Sequence, residues 1–158
     1  MNAVARDLPA RIRAMRQEDV TAVAALERAV YQFPWSAGIF RDCLLAGYTS
    51  VTLEHASEVL GYSIMSIAAG EAHLLNVVVA PVLRRQGFGR ELLGYMLERA
   101  TAAGAERVIL ESRPSNRAAM QLYRDMGFEV IGVRRGYYRA VDGREDAVVL
   151  ARRLAANS

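Results

Sequence analysis

The sequence contains no lysine. Its 20 basic residues are all arginine and stand against 17 acidic ones, so the net charge is only +3 and the two signs are interspersed. So small and dispersed a charge does not on its own argue for a nucleic-acid binder, whose basic and aromatic residues gather on one face. The absence of lysine excludes a phosphate loop ending in Gly-Lys-Ser/Thr. Arginine in place of lysine raises the isoelectric point, because the guanidinium stays protonated far above neutral pH, and codon composition accounts for the bias as well as function does. Cysteine is nearly missing too. Cys43 stands alone, which excludes an intramolecular disulfide and a cysteine-rich zinc site. His55 and His73 are too few and too far apart to build a metal site. Nowhere do about 18 uncharged apolar residues run together, as a membrane span needs, and the first residues hold no apolar stretch of secretory-signal length. The expectation is a soluble, cytoplasmic protein with no metal, no membrane contact and no direct nucleic-acid partner.

What is present is an apolar fraction of 53% over 158 residues, ample for one buried core. A single domain over 1–158 is expected, with 1–9 loosely ordered around Pro9. A strand at 11–15 precedes an amphipathic helix over 18–31, where Val20, Val23, Ala24, Glu27 and Val30 recur at helical spacing. Pro34 breaks the chain, and Ser36 caps a second helix that ends at Gly47. Three strands follow over 48–55, 59–69 and 73–80, joined by hairpin turns at Ala56-Ser57-Glu58 and Ala69-Gly70-Glu71. After Pro81 comes a long helix closed by Gly104, then the apolar strand Arg107–Ser112. Ser115 or Asn116 caps a last helix, and two strands joined near Asp142-Gly143 end the chain. The order is β α α β β β α β α β β, an α+β pattern.

The most informative segment is Leu-Arg-Arg-Gln-Gly-Phe-Gly-Arg at 83–90, between an apolar strand and a long helix. A helix start leaves N–H groups unpaired and carries partial positive charge, so glycines that let the main chain approach make it an anion cradle. Gly87 and Gly89 supply that freedom, while Arg84, Arg85 and Arg90 add charge. The third glycine of a dinucleotide-binding fingerprint is missing, because Leu92 holds that place. Taken alone, the segment also reads as an ordinary glycine-containing helix start with solvated arginines.

Arg-Arg-Gln-Gly-Phe-Gly resembles the Arg/Gln-x-x-Gly-x-Gly/Ala signature of the GNAT superfamily of N-acetyltransferases, and the element order looks like that fold. The resemblance implies a mixed, mostly antiparallel twisted sheet with helices on both faces, and acetyl-coenzyme A as co-substrate. It assigns the main chain of Val77, Val78 and Val79 to the pantetheine arm. It gives Arg85, Gln86, Gly87, Phe88, Gly89 and Arg90 to the pyrophosphate.

The segment Leu-Glu-Ser-Arg-Pro-Ser-Asn-Arg-Ala-Ala-Met-Gln-Leu-Tyr-Arg-Asp-Met-Gly-Phe-Glu at 110–129 resembles a block of the RimI-type alanine N-acetyltransferases. Further matches to that subfamily lie at 33–36, 71–79 and 134–147, and Ser112 departs from its usual valine. The resemblance implies acetylation of the N-terminal alanine of a small-subunit ribosomal protein. By position it makes Glu111 the general base, Tyr123 the general acid and Asn116 a coenzyme A contact.

The residue types suit those roles. A carboxylate ending an apolar strand is out of place by inside-outside preference, and burial raises such a pKa toward that of a useful base. Glu111 equally reads as a strand-end carboxylate paired with Arg113 or solvated, and Tyr123 as an amphipathic core tyrosine. Phe33, Pro34 and Trp35, with Tyr137 and Tyr138, are candidate walls for an extended peptide. Asp142, Glu145 and Asp146 are candidates to attract a basic tail or to form an ordinary solvated turn. Cys43, mid-helix among apolar residues, reads as an inert packed thiol, and His73 as structural. Rival readings are a GNAT enzyme for a lysine side chain, a polyamine or an aminoglycoside, a non-catalytic acyl-coenzyme A binder, and an RNA binder.

Overall fold

Two-residue turns set the register of the first half of the chain. Ala56 and Ser57 have φ of 52° and 66°, and Ala69 and Gly70 have 52° and 78°. Consecutive left-handed residues make the tight turns whose twist matches antiparallel strands. In the computed structural model, which describes residues 10–155, the elements are β1 (Ala10–Ala14), α1 (Val20–Val30), α2 (Ala37–Leu45), β2 (Thr49–His55), β3 (Glu58–Ala68) and β4 (Glu71–Val79). They continue as α3 (Phe88–Ala102), β5 (Arg107–Ser112), α4 (Arg117–Asp125), β6 (Glu129–Ala140) and β7 (Gly143–Arg153). Segment 1–9, expected to be loosely ordered, lies outside the described residues. The sheet order is β1-β2-β3-β4-β5-β7-β6; β1–β2, β2–β3, β5–β7 and β6–β7 pair antiparallel and β4–β5 parallel. The expected mixed, mostly antiparallel α+β fold is the one formed.

The described residues group into two compact units, one within Met1–Ser66 and Asn76–Met96 and the other within Ile67–Leu75 and Leu97–Ser158. In the first, β1 pairs with β2 from Ala10↔His55 to Ala14↔Val51, and β2 with β3 across a bulge at Leu53/Glu54. β3 and the end of β4 run close together. An added Cβ on Gly61 would stand 2.9 Å from the Val78 carbonyl oxygen, so only glycine fits there without movement. Leu53, Leu83 and Phe88 form a core cluster with Ile12, Leu60 and Val79 packed on it. In the second unit, β5 lies between β4 and β7, and β7 inserts between β5 and β6. Along this six-residue strand Val108, Leu110 and Ser112 are buried and Ile109 and Glu111 half-buried, which accounts for the Val-Ile-Leu run.

Two buried acids organise the first unit. The periodicity places acids at the start of the first helix, but Gln17–Asp19 form a 3-10 turn and α1 starts at Val20. Asp19 is turned back into the protein. Arg13 donates to its two carboxylate oxygens at 2.8 and 2.9 Å and to Glu54 at 2.7 Å, and the Arg16 N–H adds a bond of 2.8 Å. Glu27, on the apolar face of α1, is 3% exposed. Its carboxylate accepts a short hydrogen bond from the Tyr62 hydroxyl and one of 2.9 Å from the Trp35 N–H. Burial, followed by the hydrogen bond to Glu27, holds the Tyr62 phenol far above its ordinary value. Trp35, Phe40 and Tyr62 then stack in sequence, with ring centroids 5.4 and 5.5 Å apart.

Arg13 hydrogen bonds hold the Asp19 carboxyl below its ordinary value of 3.8, outweighing the opposing effect of burial. A depressed folded-state pKa contributes stability that is present above the unfolded value and lost as pH falls through the folded one. Urea titrations stepped downward from pH 3.8 are therefore expected to show stability draining away in the native chain. Asp19→Asn, less stable at neutral pH, should show a shallower loss. Glu27→Ala leaves two donors without their acceptor, and is expected to cost about 3 kcal/mol in denaturant unfolding.

Candidate functional site

The first group of candidate residues lies in one compact unit. Ala80 donates its N–H to Leu60 at 2.8 Å, which ties the end of β4 to β3, and Pro81–Leu83 make a 3-10 turn. Arg85 then adopts φ of 64° and Gly87 of 85°. Left-handed residues alternating with ordinary ones curl the main chain so that successive N–H groups converge, a concavity suited to an anion. The N–H of Glu91 donates to the Gly87 carbonyl at 3.0 Å, and helix geometry gives the amides of the first turn of α3 no partner inside the helix. Arg84 and Arg85 are exposed. Nothing lies within 4 Å of an added Cβ at Gly87, so the surface there is open.

The other residues named for this role divide. Phe88 is 7% exposed in the core cluster, which leaves only its main chain for a ligand. The Gln86 amide donates to the Val82 carbonyl at 3.2 Å, and its buried Oε1 has no hydrogen-bond partner among the described residues. Val78 is buried while Val77 and Val79 are half-buried. The parallel ladder between β4 and β5 covers only Glu71↔Arg107 to His73↔Ile109.

The second group lies in the other unit. Glu111 sits on β5 opposite Val149 with a side chain only 8% exposed. Its Oε2 is 2.6 Å from His73 Nε2, on β4. Arg134 Nε stands 3.7 Å from the other oxygen and is largely exposed. Arg113, which the sequence left open as a partner, donates to Glu145 at 3.1 Å. His73, read as structural, is thus the direct partner of the candidate base. Its 39% exposure gives the carboxylate a neighbour that reaches water. The available signal was strand register: the parallel pairing sets His73 beside Ile109, two residues from Glu111.

Tyr123 on α4 is 8% exposed and meets Phe128 edge-on, ring centroids 5.9 Å apart. Asn116 is the N-cap of α4, its Oδ1 accepting from the Ala119 N–H at 3.2 Å. Of the two caps the sequence allowed, Asn116 is the one used. Ser115 takes a different role, donating its N–H and hydroxyl to Glu145 at 3.1 and 3.0 Å.

The candidate walls sit on defined elements. Phe33 is 39% exposed in the loop before α2, which Ser36 caps by accepting from the Ile39 N–H. Tyr137 and Tyr138 stack edge-on at 5.0 Å, beside a break in the β6–β7 register at Arg134/Tyr138. Gly136, with φ of 59°, donates to Asp146 at 2.8 Å, and Arg144 donates to the carbonyls of Gly136 and Tyr137. Glu145 and Asp146 are therefore engaged within the fold, and of the three acids considered for attracting a basic tail only Asp142 sits on the exposed turn. A groove of about 450 Å³ over α4 and β6, lined by Met120, Val130 and Val133 among others, includes none of the candidate residues.

Burial pushes the Cys43 thiol upward and the Asp42 charge adds to it, which disfavours the thiolate that a nucleophile needs. Among the described residues no group of three or more His, Cys, Asp or Glu is placed to hold a metal, and no helix is long and apolar enough to cross a membrane.

Comparison with known proteins agrees with this geometry. Residues 12–128 match the model of the acetyltransferase (GNAT) family. The ribosomal-protein bS18-alanine N-acetyltransferase of Escherichia coli strain K12 is 34% identical over 140 residues, 89% of this chain and 95% of that protein. The enzyme of the same description from Haemophilus ducreyi is 31% identical over 141 residues, 89% and 97% of the two chains. The crystal structure of the ribosomal-protein-S18-alanine N-acetyltransferase from Escherichia coli superposes with a TM-score of 0.88 and 32% identity, covering 95% of this chain and 97% of that one. With family model, sequence and fold in agreement over most of its length, the chain belongs to the GNAT family of acetyltransferases.

Proposed function

We propose that this acetyltransferase transfers the acetyl group of acetyl-coenzyme A to the N-terminal alanine of a small-subunit ribosomal protein, by direct attack of the amine. The observation that carries the reading is Glu111, a nearly buried carboxylate on β5 whose Oε2 lies 2.6 Å from His73. Relatives that share a third of the sequence over nine-tenths of the chain are bS18-alanine N-acetyltransferases, which supports this choice of acceptor.

A protein α-amino group has a pKa of about 8, so at neutral pH it must lose a proton before it attacks. Glu111 accepts that proton. His73, in contact with the carboxylate and partly open to solvent, passes it outward. Acetyl-coenzyme A supplies an acyl group activated as a thioester. The new C–N bond forms as the C–S bond breaks, the departing thiolate takes a proton from the Tyr123 hydroxyl, whose ordinary pKa is about 10, and the second proton shed by the acylated nitrogen passes through solvent to restore the phenol. The main chain of Val77, Val78 and Val79 holds the pantetheine arm. The amides and charges of Arg85, Gln86, Gly87, Phe88, Gly89 and Arg90 hold the pyrophosphate, with Asn116 a further contact. No acyl-enzyme forms, and Cys43 takes no part. Phe33, Pro34 and Trp35 make one wall for the peptide, and Tyr137 and Tyr138 the other. The site of action is the cytoplasm.

Coenzyme A release with peptides led by Ala, Ser, Met or Gly, beside one whose only amine is an internal lysine, tests the acceptor. Turnover confined to the Ala-led peptide is expected. Turnover only on lysine or on a polyamine would move the acceptor while keeping the family. Glu111→Gln is expected to lower kcat about 10²–10⁴-fold, the usual worth of a general base. Gly87→Ala forces a side chain into left-handed backbone and is expected to raise the KM for acetyl-coenzyme A about tenfold while peptide KM holds steady.

A further inference from the structure

The β6–β7 hairpin contains a carboxylate with more partners than a surface salt bridge needs. Glu145 lies on β7 directly opposite Tyr138 of β6. Its Oε1 accepts from Arg113 Nη1 at 3.1 Å and from the Ser115 hydroxyl at 3.0 Å, and its Oε2 accepts from the Ser115 N–H at 3.1 Å. The bonds from Ser115 come first among the causes that hold the Glu145 carboxyl below its ordinary range, with Arg113 adding to them. The same Arg113 guanidinium stands 4.4 Å over the centroid of the Tyr138 ring. Arg113 is thus held between an acid and an aromatic face, both supplied by one cross-strand pair.

This arrangement joins two segments distant in sequence. Arg113 and Ser115 belong to the turn after β5, two and four residues beyond Glu111, and Ser115 precedes the cap of α4. An arginine side chain has several rotatable bonds and settles over a ring only when something fixes its far end. Glu145 fixes it with a charge-assisted bond, while the paired Ser115 bonds fix the carboxylate.

We propose that Glu145 is a positioning residue for peptide binding, holding the Arg113 guanidinium against the Tyr138 ring so that the tyrosine wall meets the peptide in one orientation. The inference rests on the reading of Tyr137 and Tyr138 as that wall. Glu145 touches neither substrate in this scheme and acts through Arg113. Loss of its charge removes that anchor from the guanidinium and loosens the hold on Tyr138 and its neighbour Tyr137.

The test is a kinetic cycle on the full chain with an Ala-led peptide and acetyl-coenzyme A. Glu145→Gln, which keeps the side-chain volume, is expected to raise the peptide KM about tenfold, the scale of a lost charge-assisted bond, with kcat and the acetyl-coenzyme A KM within about twofold. Tyr138→Leu should raise the peptide KM by itself, and in that background Glu145→Gln should add nothing. Equal factors in both backgrounds would show that Glu145 does not act through the ring, and would overturn the proposal. So would a rise confined to the acetyl-coenzyme A KM, which would assign the carboxylate to the start of α4. If Tyr138→Leu leaves the peptide KM unchanged, the wall reading falls first and the inference with it. Should Glu145→Gln not fold, Arg113→Gln removes the guanidinium while leaving the Ser115 bonds, and the same peptide-specific rise is expected.

Discussion

Two-sided pairing of β5 is the constraint on which the second unit of the chain depends. The strand is six residues long, parallel to β4 on one side and antiparallel to β7 on the other. One face of the strand, Val108, Leu110 and Ser112, is buried and the other only half-buried, and an ionisable group on it out of bulk water needs a partner at hand. Glu111 is that group. The register of the parallel pair supplies the partner by bringing His73 of β4 within 2.6 Å. Burial, partner and exposure to solvent through His73 thus follow from one packing decision. These are the conditions under which a carboxylate can exchange a proton without becoming a solvated surface charge.

Acids recur as organising points, Asp19 and Glu27 buried and Glu145 partly exposed. Asp19 gathers Arg13 and the main chain ahead of α1, Glu27 gathers Tyr62 and Trp35, and Glu145 gathers Arg113 and Ser115. Asp19 ties neighbouring turns together, while Glu27 and Glu145 join segments about 30 or more residues apart. Removing a buried charge from water is costly, so such acids persist where several donors converge. Their directional bonds hold loops that apolar packing alone would leave with several near-equivalent arrangements.

Glycine acts at only a few positions, through specific geometry. At Gly61 the side chain is forbidden by the nearby Val78 carbonyl, and the closeness of β3 and β4 depends on that. At Gly87 the surroundings are open, and it is the φ of 85° that a side chain would resist. The first is a packing constraint and the second a backbone one, and the strongest sequence motif of the chain is built on the second.

The sequence by itself determined the element order, the hairpin turns and the glycine loop before α3. These follow from local rules: the period of apolar residues, left-handed turn residues and the needs of a helix start. It also singled out Glu111, because a carboxylate at the end of an apolar strand violates the pattern around it. Tertiary structure decided the partners. His73 meets Glu111, since that depends on which residues of β4 and β5 fall side by side. Asp19 turns inward instead of simply opening a helix, and Glu27 lies on an apolar face because Tyr62, 35 residues away in sequence, supplies its donor. Glu145 holds a turn 30 residues earlier in the chain in place of a solvated position. Periodicity tells which face a residue occupies; only the packed register tells what stands across from it.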